Sequence, residues 1–160
     1  MQAKRSQLQF TGYQVKELHF EPKLQLNEEE KVIEYSPFFE RNIRQVGETD
    51  YTLRLTVSIG EKDEIPFIAR VSIEGHFSME NVPNPQESMK INATAILFPY
   101  LRASLTQLTA LANLPPLVIP TYNIVDMFTA KDLEDQAKVL EDQLPKKCLS
   151  SKKAKIGKDN

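Results

Sequence analysis

Between Ile65 and Met79 the chain alternates without interruption. Ile65, Phe67, Ala69, Val71, Ile73, Gly75, Phe77 and Met79 fall on one phase, and Ile68, Arg70, Ser72, Glu74 and His76 on the other. Period two is a strand signal, and at about 3.3 Å per residue such a strand runs roughly 45 Å. Tyr51, Leu53, Leu55, Val57 and Ile59 alternate in the same way just before it. The polar link Gly60-Glu61-Lys62-Asp63-Glu64 is long enough for a hairpin and too short for a crossover helix, so the two strands run antiparallel. A strand of this length exceeds the needs of one small core, and part of it is expected to serve an edge, a bulge or a subunit contact.

Upstream, Phe10 to Val15 alternates around Gly12, and the phase slips by one residue before Leu18 and Phe20. That reads as one bent or bulged strand ended by Pro22. Leu24 to Tyr35 reads mostly as loop, and Phe38 to Arg44 as a short strand. Beyond Asn81-Val82-Pro83-Asn84-Pro85 the period becomes helical. Met89, Ile91, Ala95 and Ile96 suggest a short helical approach. Leu101, Leu105, Leu108, Leu111 and Ala112 then predict a helix from about Phe98 to Asn113, with Pro99 in its first turn. Leu114-Pro115-Pro116-Leu117-Val118-Ile119-Pro120 is held extended by its prolines. A second helix is predicted over roughly Asn123–Leu144, with an apolar stripe of Leu133, Ala137, Leu140 and Leu144, stopped by Pro145. The order predicts an α+β fold: a four-stranded antiparallel sheet with two helices packed on one face.

The 20 basic and 22 acidic side chains nearly balance, but unevenly along the chain. Residues 1–144 read as one acidic domain, and residues 145–160, with six Lys against one Asp, as a disordered basic tail. No aromatics interleave with those lysines, so no nucleic-acid partner is expected. Polar residues follow Met1-Gln2-Ala3-Lys4-Arg5 where a secretory leader would carry an apolar run, and no stretch is apolar enough for a membrane span. The single Cys148 suits a reducing compartment. A cytoplasmic location is the expectation.

Catalytic and cofactor signatures are missing from the sequence. There is no phosphate loop, GxGxxG, HExxH or GxSxG. His19 and His76 sit on separate strands, and Cys148 has no orienting partner, so neither a metal site nor a nucleophile is assigned. The carboxylates of Glu28–Glu30 and of the last helix read as solvated faces. No cofactor is expected, and the chain is not expected to be an enzyme. One feature does stand apart: Leu117, Val118 and Ile119 follow one another in a connection. They either cap the core between two helices or form a rigid hydrophobic lip for extended partner segments, kept ordered at low entropy cost by proline.

Ile96-Leu97-Phe98-Pro99-Tyr100-Leu101-Arg102-Ala103 resembles the helix start ILFPYAR of the SecB family of protein-export chaperones. Leu114 to Ile124 is similar to that family's proline-flanked loop, although Ile124 stands where Phe is common. Gly75-His76-Phe77-Ser78-Met79 and Tyr51 to Val57 are similar to its last two strands, and the resemblance covers roughly residues 10 to 130. It implies an ATP-independent holdase, a tetramer built from two dimers, that binds unfolded or precursor polypeptides and passes them to the SecA motor. Carried onto this chain, it implies a client surface of Phe98, Tyr100, Leu114, Leu117, Val118, Ile119 and Tyr122, with apolar residues of the early strands. Phe67, Ala69, Val71 and Ile73 match positions tied to subunit association. Glu17, Glu21 and Ile68 match an acidic docking face for SecA, but Arg70 stands where the family carries Glu, and the basic tail contrasts with a usually acidic ending. Both departures leave room for a SecB-like chaperone dedicated to an antitoxin. A non-chaperone adapter binding one folded partner is the reading from another class.

Overall fold

The computed structural model describes residues 6–23, 35–61 and 65–128. The alternating stretches become four strands, β1 (Leu8–Pro22), β2 (Phe38–Gln45), β3 (Asp50–Ile59) and β4 (Phe67–Met79). They pair antiparallel in the order β1-β4-β3-β2. The two strands with the most complete alternation thus hold the middle of the sheet, where one face must be wholly apolar. Leu53, Leu55, Val57 and Ile59 of β3 and Ala69, Val71 and Ile73 of β4 are buried on that face. The β3–β4 turn needs its glycine. Gly60 has φ +87°, and a Cβ there would lie 2.0 Å from the Phe67 carbonyl oxygen.

The phase slip in β1 is real and occurs twice, with register shifts between Phe10 and Gly12 and between Val15 and Glu17. Each inserted residue bends the strand. Val15, Leu18 and Phe20 consequently pair with Ile73, Val71 and Ala69 on the apolar face, while Glu17, His19 and Glu21 pair with Ser72, Arg70 and Ile68 on the other.

The helix begins earlier than the sequence pattern suggests. α1 (Pro85–Ser88) opens it, a π-helical turn (Met89–Ala93) follows, and α2 (Thr94–Leu111) continues without a break. Asn84 caps α1 by accepting from the Glu87 amide, and Pro85 sits in the first turn, where its missing N–H costs nothing. Pro99 therefore lies inside α2 and not in its first turn. Ala95 and Pro99 are both exposed, so the carbonyl that Pro99 leaves unbonded lies on the solvent side. The wide turn offsets the helical phase so that Met89, Ala93, Thr94, Leu97, Phe98, Leu101 and Leu105 all face inward. Thr94 Oγ1 donates to the Met89 carbonyl at 3.3 Å, and Arg41 Nη1 on β2 donates to the Lys90 carbonyl at 2.8 Å.

α2 packs against β4, β3 and β1. A Cβ on Gly75 would sit 2.9 Å from the Phe77 ring and 3.0 Å from a Leu97 methyl, so this glycine lets the helix settle onto the sheet. At its other end α2 stops on Asn113, whose φ is 60°. The Asn113 amide bonds the Ala110 carbonyl and the Leu114 amide the Thr109 carbonyl, each at 3.1 Å. That is the paired closure of a Schellman motif, and Pro115 directly after it prevents any further turn.

The chain divides into a unit of residues 1–125 and a second of residues 126–160. Of the predicted second helix, residues 124–128 are helical. The remainder of that helix, the tail 145–160 and residues 24–34 of the predicted loop lie outside the described residues.

Candidate functional site

After the helix stop, residues 115–123 run extended, as three prolines require. Two threonines one turn apart on α2 hold this strip by a single residue. The Leu117 amide donates to Thr109 Oγ1 at 3.0 Å, and Thr106 Oγ1 donates to the Leu117 carbonyl at 2.9 Å. Thr109 passes its own proton back to the Leu105 carbonyl at 3.1 Å, so its buried hydroxyl is satisfied in both senses. Tyr35 Oη donates to the Val118 carbonyl at 3.3 Å. Burial, and then the neighbouring Tyr122, raises the Tyr35 pKa, so it remains a donor at neutral pH. The strip is ordered by α2 and by the segment before β2, and not by a strand.

The candidate client residues separate into wall and surface. Ile119 is fully buried at 0% exposure and Phe98 nearly so at 6%, which makes them the floor under the strip. Leu114 and Leu117 are half-buried. Val118, at 61%, Tyr100, at 38%, and Tyr122, at 36%, reach solvent. Tyr122 and Tyr100 belong to two aromatic clusters, one to each side of α2. On the β2 side Phe39 joins Phe98 at 5.7 Å and Tyr122 at 5.6 Å. On the β1 side Tyr100 packs on Tyr13 at 4.7 Å and on Phe10 at 5.5 Å, and Phe10 rests on Phe77 at 5.2 Å. Tyr13, Val15 and Leu18 continue that second row as exposed apolar residues along β1.

Phe67, Ala69, Val71 and Ile73, matched above to subunit association, sit on the helix-covered face and are buried within the chain itself. The residues of β4 with accessible side chains are the alternate set, Ile68, Arg70, Glu74, His76 and Ser78. On this open face Arg70 draws in carboxylates from either side. It bonds Glu17 of β1 at 3.3 Å, Glu40 of β2 at 3.1 Å and Glu61 at 3.5 Å, as well as Ser58 Oγ of β3 at 2.8 Å. Burial works against its charge, but Glu17 and Glu40 outweigh it and raise the guanidinium pKa. Glu74 makes a second such knot, with Arg54 at 2.8 Å and Lys16 at 3.2 Å. Burial would raise its pKa, yet the hydrogen bonds and charges of those two cations lower it. Between the knots the Thr56 and Ser72 hydroxyls meet at 3.0 Å. Of the candidate docking residues, Glu17 and Arg70 are thus paired with each other, while Glu21 lies 3.4 Å from His19 and Ile68 is half-buried.

This arrangement of sheet, long helix and extended strip can be set beside known proteins. The family described as preprotein translocase subunit SecB matches residues 1–135. The chain belongs to the SecB family. Among curated SecB proteins, that of Nitrosomonas europaea is 27% identical over 101 residues, which are 62% of this chain and 63% of that protein. An uncharacterised protein of Methanocaldococcus jannaschii is 35% identical over 78 residues, 46% of this chain and 50% of its own length. The chain therefore spans between half and two-thirds of these relatives. The solved SecB-like chaperone of Mycobacterium tuberculosis, in complex with a peptide of the HigA1 antitoxin, superposes with a TM-score of 0.60 at 17% identity, over 72% of this chain and 90% of that one. The α+β fold expected from the sequence is thus the SecB-like fold. The SecB proteins among these relatives carry the name protein-export protein. No helix among the described residues is long and apolar enough to cross a membrane.

Sequence reasoning passed over Thr106, Thr109, Tyr35 and Arg102, and took in Phe39 and Tyr13 only as unnamed apolar residues of the early strands. A Thr-x-x-Thr pair on the last turns of a helix, shortly before Asn-Leu-Pro-Pro, was the available signal for the clasp. Arg102 is a different case, since its Nε is buried with no hydrogen-bond partner among the described residues.

Proposed function

We propose that this SecB-family protein is an ATP-independent holdase of the cytoplasm that keeps unfolded or precursor polypeptides from aggregating. The observation that carries the reading is the pair of exposed aromatic and aliphatic rows on the two sides of α2, one of them along a strip already ordered before any client arrives. Each contact with a client buries area worth about 25 cal/mol per Å², and weak contacts accumulate when one chain occupies several linked sites. A client that folds buries the same side chains internally and leaves. Because Phe98 and Ile119 form the floor, the surface acting on clients is Val118, Tyr122, Tyr100, Tyr13, Val15 and Leu18, with Leu114 and Leu117 at its margin. In an aggregation assay with a chemically unfolded client and no ATP, wild type is expected to suppress light scattering at equimolar ratio. A Val118→Ser/Tyr122→Ser variant, altered only at exposed positions, is expected to lose at least half of that effect. Equal curves for the two proteins would remove the strip from the client surface.

The assembly proposed is a tetramer made of two dimers. Two features support it: the outer edge of β1, which has no strand partner among the described residues, and an outer face of α2 without a charged residue, formed by Ala95, Ile96, Pro99, Ala103, Gln107 and Ala110. A shared surface of this kind joins the rows of neighbouring subunits.

Export through SecA and service to one dedicated client, such as an antitoxin, remain two readings of the handover. Arg70 favours the second, because it occupies Glu17, which an acidic dock for SecA would need free. Calorimetric titration with purified SecA is expected to give weak binding for wild type and binding several-fold stronger for Arg70→Gln, which releases Glu17, Glu40 and Glu61. Strong binding by wild type, undiminished in the variant, would instead support export.

A further inference from the structure

Residues 118–122 are the part of the strip that lies between two fixed points. Before them Leu117 is clasped by Thr106 and Thr109, and after them Asn123 opens the next helix by accepting from the Val125 amide at 3.1 Å. Between those points the backbone is held by little. Tyr35 Oη on the Val118 carbonyl is the one hydrogen bond that residues 118–122 make among the described residues, and Pro120 has no N–H to offer. At 3.3 Å this bond is long for a hydroxyl donor, and at an exposed position water competes for both of its groups. The remaining hold is apolar. Ile119 is buried at 0% exposure, and the Tyr122 ring meets Phe39, which in turn meets Phe98.

Apolar contacts of this kind do not demand one particular partner. A client side chain that buries a similar area can stand in for Ile119 or Tyr122 once the stretch lifts. The phenol bond opposes that exchange, because lifting breaks it and an apolar client does not restore it. Pro115, Pro116 and Pro120 limit the conformations open to the lifted stretch, which favours its return when the client leaves.

We propose that residues 118–122 are a strap over an apolar floor, with Ile119 in the place of a client side chain and Tyr35 as the latch that keeps the strap shut until a client displaces it. This rests on the holdase reading above and adds a covered layer to the client surface. The test uses the full-length protein carrying Cys148→Ser, with a single reporter thiol at Ile119→Cys probed by a maleimide. Ile73→Cys, at a β4 position buried to the same degree, reports opening of the whole fold. The Ile119→Cys thiol is expected to react at least about tenfold faster than the Ile73→Cys thiol. Adding Tyr35→Phe is expected to raise the Ile119→Cys rate about three- to tenfold and to leave the Ile73→Cys rate within about twofold. In proteins that keep Ile119, Tyr35→Phe is expected to bind a fluorescent aromatic-aliphatic peptide about three- to tenfold more tightly than wild type, because the open form no longer has to be won from the latch. This affinity measurement needs no substitution in the floor, so it decides the matter even where Ile119→Cys does not fold. An Ile119→Cys thiol no faster than the Ile73→Cys thiol overturns the strap, and a rate that Tyr35→Phe leaves unchanged overturns the latch. Faster labelling with unchanged peptide affinity overturns the strap's role toward clients and leaves the exposed rows as the client surface. If the peptide binds neither protein, the holdase reading falls and this inference falls with it.

Discussion

Thr109 is fully buried, and its hydroxyl joins the helix to the strip by accepting the Leu117 amide. Thr109→Val keeps the shape and removes the acceptor, leaving a buried N–H without a partner at a cost of about 1–3 kcal/mol. Hydrogen exchange is the direct readout. The Leu117 amide is expected to be protected in wild type although it lies in no strand, to lose that protection in Thr109→Val, and to keep it in Thr109→Ser. Unchanged exchange in the valine variant would mean that the strip is ordered by something else. The Thr-x-x-Thr pair was the sole hint of this clasp beforehand, because a bond between residues eight apart across a helix stop depends on the direction in which the chain leaves Asn113. Composition likewise could not separate Val118 from Ile119. Both are apolar neighbours in one connection, but extended backbone sends successive side chains to opposite sides, so one floors the strip and the other reaches water. The same alternation did disclose that Phe67, Ala69, Val71 and Ile73 share a face; which face the helix would cover was the unknown.

Strands were the most legible elements, because period two survives inspection over eight to fifteen residues, and even the slip in β1 could be placed. The helix start was less so. A wide turn shifts the apolar phase by one residue, which makes Met89–Ala93 look like a separate approach and Pro99 like a beginning. Across the open face the strands are also tied by charge, and here the pH dependence can be given a sign. Glu74 has its folded pKa below the ordinary 4.5, through Arg54 of β3 and Lys16 of β1. A carboxyl with a depressed folded pKa adds stability that is fully present above its unfolded pKa and is lost as pH falls through the folded one. Glu74→Gln is therefore expected to lose less stability than wild type between about pH 5 and pH 3, measured by denaturant midpoints at each pH. The effect should be modest, since Arg54 is about half exposed and solvent screens the pair. Parallel acid limbs in the two proteins would show that the knot contributes nothing to folding.

At the scale of the whole molecule, the two exposed rows and the uncharged helix face leave more apolar surface uncovered than a solitary chain of this size would need. Multi-angle light scattering at micromolar concentration is expected to give about four times the 18.3 kDa chain mass, with dimers as the first product of dilution. A chain-mass species alone would remove the shared surface on which clients are proposed to accumulate contacts. Burial in an assembly would also account for an α2 exterior on which no lysine or glutamate appears.

The two inserted residues of β1 have one more consequence. A flat, regular fifteen-residue margin carrying Tyr13, Val15 and Leu18 would template strand after strand and grow into fibres. Thr11 and Lys16 interrupt the repeat twice, so no long in-register ladder can propagate from that margin. In the proposed holdase role, a protein that meets misfolding chains would thereby be kept from becoming the seed of their deposits.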